Sequence, residues 1–131
     1  MQKQTSDSEV HTYEQEEAIA EALNVSLFNS ELTKLYLASN PETGLSIRLV
    51  FNRDDFPSNS NKLILEFKQI ESFSFNYNSD YFFYRVETAK LLKLATTYYL
   101  SLDPDDSLES PSDSDQDCVI ARYLRLTYPA Q

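Results

Sequence analysis

From residue 30 onward the apolar residues return at every second position, the period of a strand with one covered face. Leu35 and Leu37 flank Tyr36, which predicts a first strand over about 31–39. Leu45, Ile47, Leu49 and Phe51 share one face of a second strand, with Ser46 and Arg48 on the other. Between the two lies Asn40-Pro41-Glu42-Thr43-Gly44. Proline suits the start of a type I turn and glycine can take the left-handed conformation that closes it, so a β-hairpin is expected here. Leu63, Leu65 and Phe67 alternate in a third strand, and Phe73, Phe75 and Tyr77 keep its parity. Ile70 breaks that parity, which predicts a bulge or bend near Lys68–Ile70. Asn76 to Asp80 reads as the next turn, and Tyr81 to Val86 as a further strand.

Residues 87–94 mix helix formers with a length too short for periodicity to decide. Thr96, Thr97, Tyr98, Tyr99 and Leu100 favour a strand over about 95–102, stopped at Asp103-Pro104. Val119 to Tyr128 alternates again and ends at Pro129. At the other terminus, residues 1–11 read as a flexible polar tail. Thr12 and Gln15 have the spacing of a capping box, and Ile19, Ala22 and Leu23 fall on one helical face, which predicts a helix over about 12–24. The expected fold is mainly β (α+β). A twisted or partly closed antiparallel sheet of five to seven strands carries one N-terminal amphipathic helix, in a single domain over 12–131.

Composition narrows the chemistry. Gly44 is the only glycine among 131 residues. Phosphate-cradling loops, dinucleotide folds and the strained nucleophile elbow need several glycines, so none of them fits. With one cysteine, Cys118, no intramolecular disulfide can form. The first ten residues lack an apolar leader core, and no apolar run reaches membrane-spanning length. The cytoplasm is the expected location, no cofactor is implied, and the Asn24-Val25-Ser26 sequon is read as accidental.

The net charge of −10 is not spread evenly. Residues 1–21 carry six acids against Lys3, residues 22–102 balance eight acids with eight bases, and residues 103–117 hold seven acids and no base. The acidity therefore belongs to the N-terminal segment and one late loop, and such blocks are expected to stay solvated. In binding terms the loop, with Asp103, Asp105, Asp106 and Glu109, would steer a basic partner. Nucleic acid does not fit, because phosphates require clustered Lys and Arg.

Each candidate site has a plain alternative. His11 is the only histidine and falls in the expected tail, where a catalytic base could not be held in place. Cys118 reads as a small core residue, since neighbouring Asp115 and Asp117 would raise its pKa rather than activate it. Asp113, Asp115 and Asp117 alternate like the opening of a calcium loop, but the sixth and twelfth positions are Cys118 and Leu124 instead of glycine and glutamate. Weak calcium capture by these acids is the residual metal reading. Carboxylates are plentiful, yet an acid–base pair requires a defined separation that spacing alone does not give. No enzyme is expected. Residues 73–84 hold seven aromatics. Adjacent strand residues face opposite sides, so Tyr81, Phe82, Phe83 and Tyr84 need two covers. The helix, a second copy of the chain in a homodimer, or a protein partner would each serve.

The stretch Phe28-Asn29-Ser30-Glu31-Leu32 leading into the first strand, the hairpin, and Leu63-Ile64-Leu65-Glu66-Phe67-Lys68-Gln69-Ile70-Glu71-Ser72-Phe73 together resemble small bacterial immunity-type proteins, which neutralise toxins in polymorphic-toxin systems. The resemblance spans about residues 28–126 and implies a non-enzymatic binder of one toxin domain. The functional expectation is thus a protein-binding module, an immunity-like inhibitor meeting a basic surface. A small-molecule or calcium-binding domain and an oligomerising structural domain stand as alternatives.

Overall fold

The computed structural model describes residues 10–24, 30–53, 62–76, 85–86, 88–105, 107 and 109–129. The hairpin is built as its sequence requires. β2 (Ser30–Asn40) and β3 (Gly44–Arg53), preceded in the chain by β1 (Val10–Glu14), pair antiparallel with Asn40 opposite Gly44. Asn40 Oδ1 accepts the backbone N–H of Glu42 at 2.8 Å and of Thr43 at 3.3 Å, and Gly44 takes φ +88°. Ile47, Leu49 and Phe51 are fully buried. Leu35 and Leu37 stand opposite Leu49 and Ile47, on the same face, yet are 41% and 51% exposed. The distal half of β2 therefore runs past the edge of the core.

β4 (Lys62–Ser74) lies beside β3, and β8 (Gln116–Pro129) beside β4. Their inward residues Leu63, Leu65, Phe67, Leu124 and Leu126 are fully buried. At about 1.5–3 kcal/mol for each large apolar side chain, this is the principal stabilising layer. Both strands then change face at the same place. On β4 the inward positions step from Phe67 to Ile70, and on β8 from Leu124 back to Ala121. A step of three in place of two moves the covered side across the strand. Gln69 holds the left-handed conformation there, φ +54°, and the register shifts just beyond it, between Ile70 and Ser72. This is the break that Ile70 announced in the sequence, and it helps to curl the sheet into a half-barrel.

Beyond the corner, β8 pairs with β7 (Tyr98–Asp103), and β7 with β6 (Lys90–Lys93), while the two-residue β5 (Arg85–Val86) caps the near end of β2. The order β5-β2-β3-β4-β8-β7-β6 is antiparallel throughout, with β1 paired to the C-terminal half of β8. β1 and β7 thus occupy one edge of β8 end to end. In the gap between them, the Gln15 N–H donates to the Leu124 carbonyl at 2.9 Å, and the Leu124 N–H donates to Gln15 Oε1 at 3.0 Å. Gln15, at φ +59°, also accepts the Ala18 N–H at 2.9 Å and so opens α1 (Glu16–Asn24). Ala18 and Ala22 are the buried face of that helix.

Four expectations change. Val10 and His11, assigned to a flexible tail, are strand residues opposite Pro129 and Tyr128; residues 1–9 lie outside the described ones. The helix begins at Glu16 rather than near Thr12, because Thr12 pairs with Thr127 and no capping box forms. The undecided stretch 87–94 supplies β6, and the last strand begins at Gln116, inside the acidic run. The expected curled antiparallel sheet with an N-terminal helix is what forms, with seven strands on its main path and β1 beside β8 as an eighth among the described residues.

The turn makes a direct test. No atom lies within 4 Å of a Cβ placed on Gly44, so the penalty of Gly44→Ala is backbone strain alone. Thermal unfolding of that variant is expected to show a loss of about 1 kcal/mol, with an unchanged circular dichroism spectrum.

Candidate functional site

The acidic loop between β7 and β8 is organised around one carboxylate. The Asp115 side chain is fully buried, and Lys90, from β6, is 7% exposed. Lys90 Nζ donates to Asp115 Oδ1 at 2.9 Å and Oδ2 at 3.1 Å, and to the Ser110 carbonyl at 2.8 Å. Asp115 also accepts the Tyr99 hydroxyl at 2.6 Å, the Asp105 N–H at 2.7 Å and the Ser112 N–H at 3.0 Å. A charge removed from water persists only when it is paired and hydrogen-bonded, and here both conditions are met. Burial pushes the Asp115 pKa up, but the bonds from Tyr99, Asp105, Lys90 and Ser112 outweigh it and hold it down at about 2. Tyr99 is pushed well above its ordinary value by burial first, then by its bonds to Asp115 and Cys118.

A second ring of contacts extends the order outward. The Asp105 carboxylate accepts the Ser107 N–H at 3.0 Å, the Ser107 hydroxyl at 2.6 Å and the Ser112 hydroxyl at 3.4 Å. Ser101 Oγ donates to the Gln116 carbonyl at 2.6 Å and accepts the Asp103 N–H at 3.3 Å. Asp117 is 1% exposed, has φ +54°, and accepts the Asn76 N–H at 2.8 Å. The solvated-block reading of 103–117 is therefore corrected. Asp103, Glu109 and Asp113 face solvent, whereas Asp115 and Asp117 are interior structural groups. The N-terminal acids are tied in as well: Tyr123 donates its hydroxyl to Glu14, and Tyr128 donates to Glu21.

The calcium candidates are not gathered as ligands. Asp113 is exposed, Asp117 faces Asn76, and an ion drawing on Asp115 would have to displace the Lys90 ammonium. Among the described residues no three His, Cys, Asp or Glu side chains are grouped as a metal site. His11 is exposed on β1, its ring 5.0 Å from that of Tyr128. Cys118 is half-buried, with Sγ 3.6 Å from the Tyr99 hydroxyl, so it is less enclosed than a core residue. Tyr81, Phe82, Phe83, Tyr84 and Asp106 lie outside the described residues. Of the remaining aromatics, Phe73 is 41% exposed and leans on Phe75.

The outward face of the sheet carries a ladder that sequence reasoning did not assemble. Tyr36, Arg48, Glu66, Arg125 and Glu14 are register partners across β2, β3, β4, β8 and β1. The Arg48 guanidinium lies 5.9 Å from the Tyr36 ring centroid, and Glu66 pairs with both Arg48, at 3.6 Å, and Arg125. Burial raises the Glu66 pKa, but the Arg125 bond and the charges of Arg125, Arg48 and Lys68 outweigh it and lower the value. Opposite charges thus face each other across the strands, Arg48 and Glu66 within the neutral stretch 22–102 among them. Lys90 was missed because its segment gave no period, and a single lysine in a short apolar run does not reveal which acid it will meet.

Comparison with protein-family models, curated proteins and solved structures finds no match to this chain. Among the described residues, no helix is long and apolar enough to cross a membrane.

Two measurements test the buried pair. Replacing Asp115 alone by Asn strands the Lys90 charge and is expected to cost about 3–5 kcal/mol in urea unfolding, while Lys90→Met combined with Asp115→Asn should cost less than the sum of the single changes. The Asp115 pKa is lowered from 3.8 to about 2, so its contribution is complete above about pH 5. It is lost as pH falls toward 2, and unfolding followed across that window should show a decline on the order of 2 kcal/mol from this group.

Proposed function

We propose that this protein is a non-enzymatic protein-binding module that presents its acidic loop to a basic surface of a partner, in the manner of an immunity-like inhibitor. The observation that carries the reading is the Lys90–Asp115 pair. It fixes the loop from inside, so Asp103, Glu109 and Asp113 are displayed on backbone already ordered by Asp105, Ser112 and Ser101. Ordering a loop before the partner arrives removes part of the entropy cost of binding. Exposed charges of one sign add long-range steering, which raises the association rate.

The partner implied is a protein rather than a nucleic acid, since the exposed charge of the loop has the wrong sign for phosphates. A toxin domain with a Lys- and Arg-lined face is the partner type that the immunity resemblance supplies. The cytoplasm suits a chain whose single cysteine, Cys118, makes no disulfide.

The test is capture of a partner from native extract at ionic strengths of about 0.05 M and about 0.5 M, chosen to span strong and weak screening. The wild type is compared with the triple variant Asp103→Asn, Glu109→Gln, Asp113→Asn, which leaves Asp115 untouched. A basic protein held at low salt, released at high salt and bound about tenfold more slowly by the variant supports the reading. A partner held equally by the variant, or no salt-sensitive partner at all, overturns it.

A further inference from the structure

A second site lies at the corner of the sheet, away from the acidic loop. Pairing of β3 with β4 ends at Ser46 opposite Lys68. One residue later β4 turns at Gln69, φ +54°, while the β2–β3 hairpin continues to its tip. The splayed strands leave a cleft of about 740 Å³ between the hairpin tip and the β4–β8 pair. That volume is in the range of small-molecule sites, roughly 300–1,000 Å³.

The lining is distinctive in its charge. In a chain of net charge −10, the cleft is bordered by Lys68 and Arg122 and, among the described residues, by no carboxylate. Its other donors are uncharged, among them the Gln69 amide and the Ser46 hydroxyl, and Leu45 adds an apolar patch. Lys68 Nζ sits 5.4 Å from the centroid of the Tyr123 ring. Arg122 engages Glu71 through Nε at 3.0 Å, with side chains 61% and 43% exposed. Such a pair is weak, and it occupies one of the five N–H donors of a guanidinium, so the fork is suited to a planar oxyanion.

The surrounding acids leave this field positive. Glu66 is matched by Arg48 and Arg125, Glu14 accepts the Tyr123 hydroxyl opposite Arg125, and Glu71 offsets one charge of the pair Lys68 and Arg122, which keeps a net charge of +1 at the cleft. Arg122 stands six residues along β8 from Gln116, where the acidic loop ends. At about 3.3 Å per residue this is roughly 20 Å, two Debye lengths at 0.1 M salt.

We propose that the corner cleft binds a small organic molecule through its oxyanion group, with Lys68 and Arg122 as the anion-holding side chains and the polar walls of the cleft receiving the rest of the ligand. Phosphate monoesters and dicarboxylates share this chemistry. Titration of the full-length protein with inorganic phosphate, malonate and, as an uncharged polyol, glucose, followed by backbone amide NMR, separates the sources.

Saturable shifts centred on Gln69, Arg122 and Tyr123 with either anion are the expected result, and the anion that binds more tightly identifies the ligand class. Lys68→Gln and Arg122→Gln should each weaken that binding by about fivefold, the effect of losing one exposed charge contact, whereas Lys62→Gln, outside the cleft, should leave it unchanged. Both positions are exposed, so the variants are expected to retain the wild-type amide spectrum elsewhere. Shifts with glucose alone, anion shifts scattered over the surface, or anion binding indifferent to Lys68 and Arg122 would overturn the proposal.

Discussion

The fold depends on keeping one long strand hydrogen-bonded along both edges while its covered side changes. β8 has 14 residues, β4 along one edge, and two separate strands, β7 and β1, along the other. A buried backbone group left without a partner costs about as much as a lost hydrogen bond, so the gap between β7 and β1 has to be closed. Gln15 closes it by completing the pairing with its N–H and with its side-chain amide oxygen. The same residue turns the chain into α1, so the helix is placed by the pairing requirement of a strand more than a hundred residues away. Residue 15 therefore settles sheet continuity and helix position together.

The acidic loop poses a different problem, because it places a charge where water cannot reach. A buried ion pair is a poor source of stability by itself, since desolvation offsets most of the attraction. Its effect here is geometric. Asp115 draws in ligands from β6, from β7 and from two points of the loop itself, and no apolar residue could replace those directional contacts. The loop is held in one shape by the charge that, read as sequence, looked like the reason it should be loose.

That contrast shows where the sequence was legible. Alternation was readable wherever one face of a strand is covered and the other wet, as on β3 and on the first half of β4; the break at Ile70 and the turn at Gly44 were readable for the same reason. It is absent on β7, buried on both faces from Tyr98 to Leu102, which was legible only through its strand-forming residue types, and on β6, four residues long, which was not legible. The capping-box spacing at Thr12 misled because local helix signals compete with strand pairing, and the pairing of Thr12 with Thr127 prevails. For the sites, the sequence located the acidic loop but not its interior pair, since charge count carries no record of burial. The cleft was invisible: Lys68 and Arg122 are 54 positions apart, and only the corner brings them to one opening.

One chain keeps opposite signs distinct at two places when the distance between them exceeds the screening length, and the run of β8 from Gln116 to Arg122 supplies it. The ladder from Arg48 through Glu66 and Arg125 to Glu14 lies on the far side of the cleft from the loop, and each of its charges meets its opposite across the next strand. An unpaired acid in that row would lower the potential over Lys68, two residues along β4 from Glu66. Arg48 and Glu66 thus cancel across neighbouring strands and leave the sign of the cleft to Lys68 and Arg122, while the sign of the loop is set by its own exposed acids.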